Sequence, residues 1–321
     1  MLCGLSRVRS RPARSELHAL DLFREYLTHY DSKAYSAERR NISSRSTAYR
    51  RMARFLARTP SPLPMTPRQA ASHAVLMVDG FYIAYPSIKA HRHLPGAKTD
   101  ESILLLAISA TTFQPLHWAI YRRLEDATAW LLFFEELTNL GFSPQFIIHD
   151  GHYGIPIAMN KYLPNTTHQR CLVHMVRNVH KDIGITPKAP LAKQLQGLIY
   201  RLVKVQTLEG RAAWEVELTA YLEAFSAATL AKVPQTKAFL SLHTVLLNAY
   251  RRNELFTFLS HPGLPNCTNA IESQNRVLRE SLGRHRGMAL SQREAFVAWR
   301  LLFKSTTNLA VIRAHYKSKD K

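Results

Sequence analysis

Cysteine is scarce in this chain of 321 residues: Cys3, Cys171 and Cys267 are the full set. An odd, widely spaced trio excludes a disulfide framework and points to a reducing compartment, so a cytoplasmic location is expected. Long apolar runs are missing as well. No segment of about 18 uncharged apolar residues occurs, which excludes a membrane-spanning helix. The basic stretch from Met1 to Arg11 is not followed by an apolar region of roughly 7–15 residues, so no secretory signal is expected. Internal repeats and low-complexity tracts are absent. Negative charge is also in short supply, with 23 Asp and Glu against 43 Lys and Arg, a formal charge of +20. That surplus is large for an enzyme of small molecules. It makes a polyanion the first candidate partner, because each neutralised phosphate releases counterions. Apolar residues, by contrast, make up 46 % of the chain, enough to bury a core, and the length suits about two domains.

Residues 1–60 hold 13 Lys and Arg against 5 Asp and Glu. Leu20, Phe23 and Leu27 recur at spacings of three and four, which predicts a helix over His18 to His29. A short helix over Lys33 to Arg40 and a turn at Asn41-Ile42-Ser43 follow. Ser44 is placed to cap a third helix, Arg45 to Ala57. This outline fits a helix-turn-helix reader, with Arg45, Ser46, Thr47, Arg50 and Arg51 facing DNA; a small solvated helical bundle fits it equally well. Residues 58–73 hold four prolines in a short polar stretch and read as a linker.

From Ala74 the pattern changes. Ala74 to Val78, Ile103 to Ala110 and Pro115 to Tyr121 read as strands. Asp126 to Leu140 reads as a helix and Gln145 to His149 as a fourth strand. A helix around Ile155 to Tyr162 follows, then a fifth strand over Arg170 to His174. Three strands, helix, strand, helix, strand predicts an α/β fold with a mixed sheet. Residues 187–260 read as almost pure helix. After a break at Pro262, Gly263 and Pro265, helices are predicted over Asn269 to Leu282, capped by Thr268, and over Ser291 to Lys304, with a basic tail behind them.

Asp79 and Asp150 each follow an apolar strand and precede a glycine. Groups at the carboxyl ends of strands line the crevice of an α/β sheet. Two carboxylates there repel unless a cation lies between them, and Mg²⁺ or Mn²⁺ suits carboxylate, water and phosphate oxygens. Two such ions clamp the attacking and leaving oxygens of a phosphoryl transfer. The competing reading is that Asp-Gly merely marks a turn. A third carboxylate is available in Glu272, which helical spacing puts on one face with Asn275, Arg276 and Arg279. Cys171 and His174 form a Cys-x-x-His pair, either half of a zinc site or a buried pair; the other cysteines offer no second half. Residues 161–204 carry eight Lys and Arg against one Asp, and residues 276–321 carry eleven against three acids. With the N-terminal cluster they could form a phosphate-contacting track that includes Arg177 and Arg279.

The segment running from Asp150-Gly151 through Ile155-Pro156 and Tyr162-Leu163-Pro164-Asn165 to Gln169-Arg170-Cys171-Leu172-Val173-His174-Met175-Val176-Arg177-Asn178 resembles the signature of Mutator-type (MULE-like) bacterial insertion-sequence transposases. Thr268-Asn269-Ala270-Ile271-Glu272-Ser273-Gln274-Asn275-Arg276-Val277-Leu278-Arg279 resembles that family's final motif, and Glu125, Trp130 and Leu140-Gly141 look like its first long helix. The resemblance covers about residues 74–305. It implies an RNase H-like core (74–186) interrupted by an all-helical insertion (187–262), closed by final helices and a basic tail (263–321), and preceded by the small all-α helix-turn-helix region (1–57). It implies an Asp-Asp-Glu triad of Asp79, Asp150 and Glu272 binding two Mg²⁺ or Mn²⁺ ions, with Cys171, His174, Asn275 and Arg276 supporting that site. It further implies DNA cleavage and strand transfer, transposon-end and target DNA as partners, a homo-oligomer that pairs two ends, and a place near the bacterial nucleoid. Some relatives carry a zinc ribbon upstream; only Cys3-Gly4 stands here, the pattern of an N-terminally shortened copy. An inactive DNA-binding remnant and an RNase H-like nuclease are the alternatives.

Overall fold

The computed structural model describes residues 12–28, 45–84, 102–285 and 287–318; the side chains of 12–15, 45–49, 51 and 318 are outside it. In chain order the elements are α1 (Pro12–Thr28), α2 (Arg45–Leu56), α3 (Pro67–Ala71), β1 (Val75–Ala84), β2 (Ser102–Ser109), β3 (Pro115–Tyr121), α4 (Ala127–Asn139), β4 (Phe146–His149), α5 (Gly154–Tyr162), β5 (Thr167–Arg170), α6 (Leu172–Asp182), α7 (Pro190–Leu202), α8 (Leu208–Leu230), α9 (Lys237–Arg251), α10 (Thr257–Ser260), α11 (Asn269–Arg284), α12 (Leu290–Ser305) and α13 (Leu309–Ser318).

The five strands form one mixed sheet in the order β3-β2-β1-β4-β5. β1 pairs antiparallel with β2, and β2 with β3, whereas β4 runs parallel to both β1 and β5. The predicted strand–helix order is therefore present. Every residue of β2 is buried, because the sheet is covered on both faces. Alternation sends Ile103, Leu105 and Ala107 toward Trp130, Phe133 and Phe134 of α4. Leu104, Leu106 and Ile108 go to the other core, with Phe296 and Trp299 of α12 and Leu278 of α11. α4 is N-capped by Asp126, whose Oδ1 accepts from the Ala129 amide at 2.8 Å.

The helical stretch after β5 forms its own apolar cluster from α6 to α9, built on residues such as Met175, Leu195, Trp214 and Leu246. α6 joins it to the sheet: Leu172, Met175 and Val179 face the helices, and the Leu172 amide donates to Asn266 O at 3.0 Å.

Several boundaries differ from expectation. The strand expected over Arg170 to His174 lies earlier, over Thr167–Arg170, and shares only Arg170 with the expected span; a helix begins at Leu172. The short apolar run was ambiguous in period, and the 3-and-4 spacing of Leu172, Met175 and Val179 decides it. Residues 309–318, expected as tail, form α13. Residues 58–73 are not structureless throughout. Thr66 and Gln69 make a capping box for α3, with Thr66 Oγ1 accepting from the Gln69 amide at 3.3 Å and Gln69 Oε1 from the Thr66 amide at 2.9 Å.

The N-terminal helices do not stand apart. Phe23, Tyr26 and Phe55 lie in the core of α12, where Phe23 and Phe55 each meet Trp299 at 5.5 Å between ring centroids, and Trp299 Nε1 donates to Phe55 O at 2.8 Å. Two short amphipathic helices cannot bury their apolar stripes on each other alone, so they use the final helices. α2 covers the predicted Arg45–Ala57 helix, with Arg50 exposed. The side chains of Arg45, Ser46, Thr47 and Arg51, the helix expected over Lys33 to Arg40, and Cys3 lie outside the described residues. Among the described residues, no helix is long and apolar enough to cross a membrane.

Candidate functional site

Strand register brings the two aspartates together. The parallel pairing of β1 with β4 ends at Val78 opposite His149, so Asp79 and Asp150 are the next residue on each of two neighbouring strands. Asp79 was expected at a strand end. β1 in fact continues to Ala84, because its antiparallel partner β2 carries on past the end of β4, and Asp79 sits opposite Leu106 in mid-strand. It is still at the end of the parallel pairing, where the sheet opens into a cleft of about 570 Å³. Asp79, Asp150 and Glu272 all line this cleft, with His174, Arg177, Asn275, Arg276 and Arg279. The helical face predicted for Glu272, Asn275, Arg276 and Arg279 is thus the face that borders it.

Asp79 is 8 % exposed, and both its oxygens are engaged. Oδ1 accepts from the Gly80 amide at 2.9 Å and Oδ2 from Asn275 Nδ2 at 2.7 Å. Its pKa is raised well above the usual carboxylate range, first by burial and then by the negative charge of Asp150, Glu125 and Glu272. Asp150 is held by a local turn, its Oδ1 accepting from the His152 amide at 2.8 Å.

Glu272 lies in the first turn of α11, where a carboxylate suits the helix dipole. It pairs with Arg177 and, through Oε1, with His174 Nδ1 at 3.2 Å. Thr268 occupies the predicted cap position but makes no side-chain cap; its Oγ1 donates to Glu272 Oε1 at 3.1 Å instead. Cys171 Sγ accepts from the Thr268 amide at 3.2 Å, tying the start of α6 to the start of α11. Burial pushes the His174 imidazole down, but the Cys171 contact and the charges of Cys171, Asp150 and Glu272 outweigh it, and the net direction is up. Cys171, His174 and Glu272 place ligand atoms within 4.8 Å of one another, the metal-competent group among the described residues. With Cys171 wholly buried and engaged by a backbone amide, the pair serves here as a tether between two helices.

Two charged residues quoted in the sequence motifs, Glu125 and Arg170, were given no role at the site. Glu125 precedes α4, and its pKa is pushed up to about 7, first by burial, then by the charge of Asp150, against a hydrogen bond from Trp130 Nε1 to its Oε1 at 3.1 Å. A Cβ at residue 80 would lie 2.7 Å from the Glu125 carboxylate, so Gly80 is what admits this fourth acid. The signal was the Glu125-Asp126 doublet: one acid caps the helix and leaves the other without a local task. Arg170, at the end of β5, is 8 % exposed and sits 4.0 Å from Glu254. Its guanidinium lies where a Cβ on Gly151 would be, 2.0 Å from Cζ, and Gly151 has φ +92°. Gly151 therefore answers two demands, a left-handed backbone and room for the cation behind Asp150. That position became legible only once β5 was seen to end at Arg170.

The site collects four carboxylates, one cation behind Asp150 and one on Glu272. The donors are hard oxygens, and the carboxylates of Asp79 and Glu125 are pushed toward their neutral forms, so the residues fit hard divalent cations such as Mg²⁺ or Mn²⁺.

Comparison with known proteins agrees in family. Over 169 residues, 51 % of this chain and 43 % of the other, the chain is 31 % identical to a probable transposase for an insertion sequence element of Corynebacterium diphtheriae. Over 60 residues, 18 % of this chain and 15 % of the other, it is 37 % identical to the transposase for insertion sequence element IS256 in transposon Tn4001 of Staphylococcus aureus. The chain thus spans less than half the length of these curated relatives. Among solved structures, the Drosophila P element transposase strand transfer complex aligns with 94 % of this chain and 80 % of that one at 14 % identity, with a TM-score of 0.32, too low to define a shared fold. Residues 116–285, more than half of the chain and inclusive of Asp150 and Glu272 but not Asp79, match the family model described as Transposase, Mutator family, and the chain belongs to that family.

Proposed function

We propose that this chain is a DNA transposase that cleaves DNA at the ends of an insertion sequence and joins them to target DNA through Asp79, Asp150 and Glu272. The observation that carries this reading is the convergence of three acids, far apart in the chain, on one cleft in a member of the Mutator family. An RNase H-like core with an all-helical insertion is part of the proposal. Its support is a sheet with three antiparallel strands and two parallel ones, and a helical cluster entering between β5 and α11.

Asp79, Asp150 and Glu272 would hold two Mg²⁺ or Mn²⁺ ions, which when bound supply charge neutralisation and polarise the reacting phosphate and hydroxyl oxygens. In the first transfer water attacks a phosphodiester at the element end and releases a 3′-hydroxyl. In the second that hydroxyl attacks a phosphodiester of the target, whose own P–O3′ bond breaks and leaves a 3′-hydroxyl on the target strand. Asn275 fixes the Asp79 carboxylate by its 2.7 Å hydrogen bond, and Arg170 balances charge behind Asp150. Arg276 and Arg279 are exposed on the cleft and meet backbone phosphates. Arg177 is placed to exchange Glu272 for a phosphate. The N-terminal region is assigned to DNA as well, with Arg50 of α2 on the outside. Since two element ends must be paired, the working form is a homo-oligomer.

The test is a strand-transfer assay with the element's own terminal DNA in Mg²⁺. Wild-type protein is expected to give joined product, and Asp150→Asn none, with DNA binding retained. Cleavage without joining of a supplied 3′-end would make the chain a nuclease. DNA binding with neither reaction would make it an inactive DNA-binding remnant.

A further inference from the structure

A second cavity, of about 640 Å³, lies on the other side of α11, between it, α12 and α1. Successive residues turn by about 100° around a helix, which places Ile271, Asn275 and Leu278 of α11 toward the core. Glu272 and Arg279 lie to one side of that line, and Ala270, Gln274 and Val277 to the other. The exposed Ser273 stands on the ridge between and lines both cavities. The two are separated by about one helix diameter, roughly 10–12 Å.

This second cavity has an apolar floor, including Leu301 and Phe303, and a cationic rim of Lys304, Arg24, which pairs with Asp21, and Arg300, which donates to Leu27 O. Two features mark it as more than a packing gap. Phe113 at its edge is 47 % exposed and has φ +57°, a left-handed backbone that an aromatic residue rarely adopts. The β2–β3 hairpin closes there, the Phe113 amide donating to Ser109 O at 2.9 Å, and Gln274 Nε2 of α11 donates to Phe113 O at 2.7 Å. Gln274 is itself 6 % exposed, so it braces the cavity wall. A flat ring with a phosphate attached suits the exposed aromatic edge, the apolar floor and the cationic rim.

We propose that this cavity is a nucleotide pocket that takes one unstacked base of the DNA whose backbone runs through the acid cleft. The base stacks on Phe113 over the apolar floor, and its phosphate meets the exposed Lys304. The proposal rests on the DNA-binding part of the proposed function and not on its chemistry. Extruding a base requires unstacking, which an aromatic platform offsets.

The test uses the full chain in EDTA with short single-stranded oligonucleotides carrying 5-iododeoxyuridine, photo-cross-linked and mapped by peptide mass. Cross-linking is expected at Phe113. Phe113→Ala should weaken oligonucleotide affinity roughly tenfold, Phe113→Trp should retain it, and the exposed neighbour Thr112→Ala should leave it unchanged. Lys304→Gln should lower the salt slope of binding by about one. Binding of wild-type strength in Phe113→Ala, with cross-links mapping elsewhere, overturns the pocket and leaves the DNA reading intact. Cross-linking at Phe113 that free deoxynucleotide abolishes, with oligonucleotide affinity unaffected by Phe113→Ala, also overturns it, in favour of a mononucleotide site. No oligonucleotide binding in any variant overturns the pocket and the DNA reading together. Failure of strand transfer with the cross-link intact sinks only the chemistry.

Discussion

Glu125 offers a test of the site's electrostatics that needs no DNA. Its pKa is pushed up to about 7 by burial and by the neighbouring charge of Asp150, against 4.5 for the free side chain. Between those two pH values the folded chain holds a proton that the unfolded chain has released. The Glu125 contribution to stability should therefore fall as pH rises from about 4.5 to 7, and level off above, while His149 and His168, held neutral by burial, contribute in the opposite direction over the same window. A gap of about 2.5 units, at about 1.36 kcal/mol each, gives on the order of 3 kcal/mol lost by pH 8. Glu125→Gln keeps the acceptor for Trp130 Nε1 and removes the charge. In urea denaturation of metal-free protein, the variant should match wild type near pH 4.5 and exceed it by about 2–3 kcal/mol at pH 8. Added Mn²⁺ should narrow that difference, because the cation neutralises the same cluster. Equal stabilities of the two proteins at pH 8 would refute the reasoning.

Gly151→Ala should destabilise by about 3 kcal/mol or more, since it combines a left-handed backbone with displacement of Arg170 from Glu254, and chemical denaturation measures it. Asn275→Ala should leave Asp79 Oδ2 without its donor, weakening Mn²⁺ affinity while secondary structure by circular dichroism is unchanged. Trp299→Ala should cost about 3–5 kcal/mol, and a double-mutant cycle with Phe23→Ala should be non-additive, as expected of rings 5.5 Å apart; additive losses would show that α1 is not part of the final-helix core. Cys171→Ser should retain Mn²⁺ binding and bring no loss of bound zinc by elemental analysis, because the thiol tethers Thr268.

The first four strands were legible because they are apolar runs bounded by Gly, Pro and Asp, and the helical insertion because 3-and-4 spacing is sustained over whole helices; β5, the polar Thr167–Arg170, was not. The cleft was legible through Asp150 and Glu272, which sit in long motifs. Asp79 was located correctly in the cleft but on a wrong premise. Its strand does not stop there, and only pairing with β2, a non-local fact, says so. Arg170 and Glu125 stood in the quoted motifs, but their roles at the site were missed for a similar reason. Each does its work through a glycine distant in sequence, Gly151 and Gly80, and a missing side chain on one segment does not announce which side chain on another fills the space. The docking of α1 and α2 on α12 was hidden too, since an amphipathic stripe shows that a helix needs a partner and not which one.

The central claim is that Asp79, Asp150 and Glu272 form one cation site. Calorimetric titration of the protein with Mn²⁺, without DNA, tests it most directly. Asp79→Asn, Asp150→Asn and Glu272→Gln should each abolish or strongly weaken binding, whereas neutralising an exposed acid outside the cleft, Glu280→Gln, should not. Mn²⁺ isotherms that are the same for wild type and all three cleft variants would contradict the account.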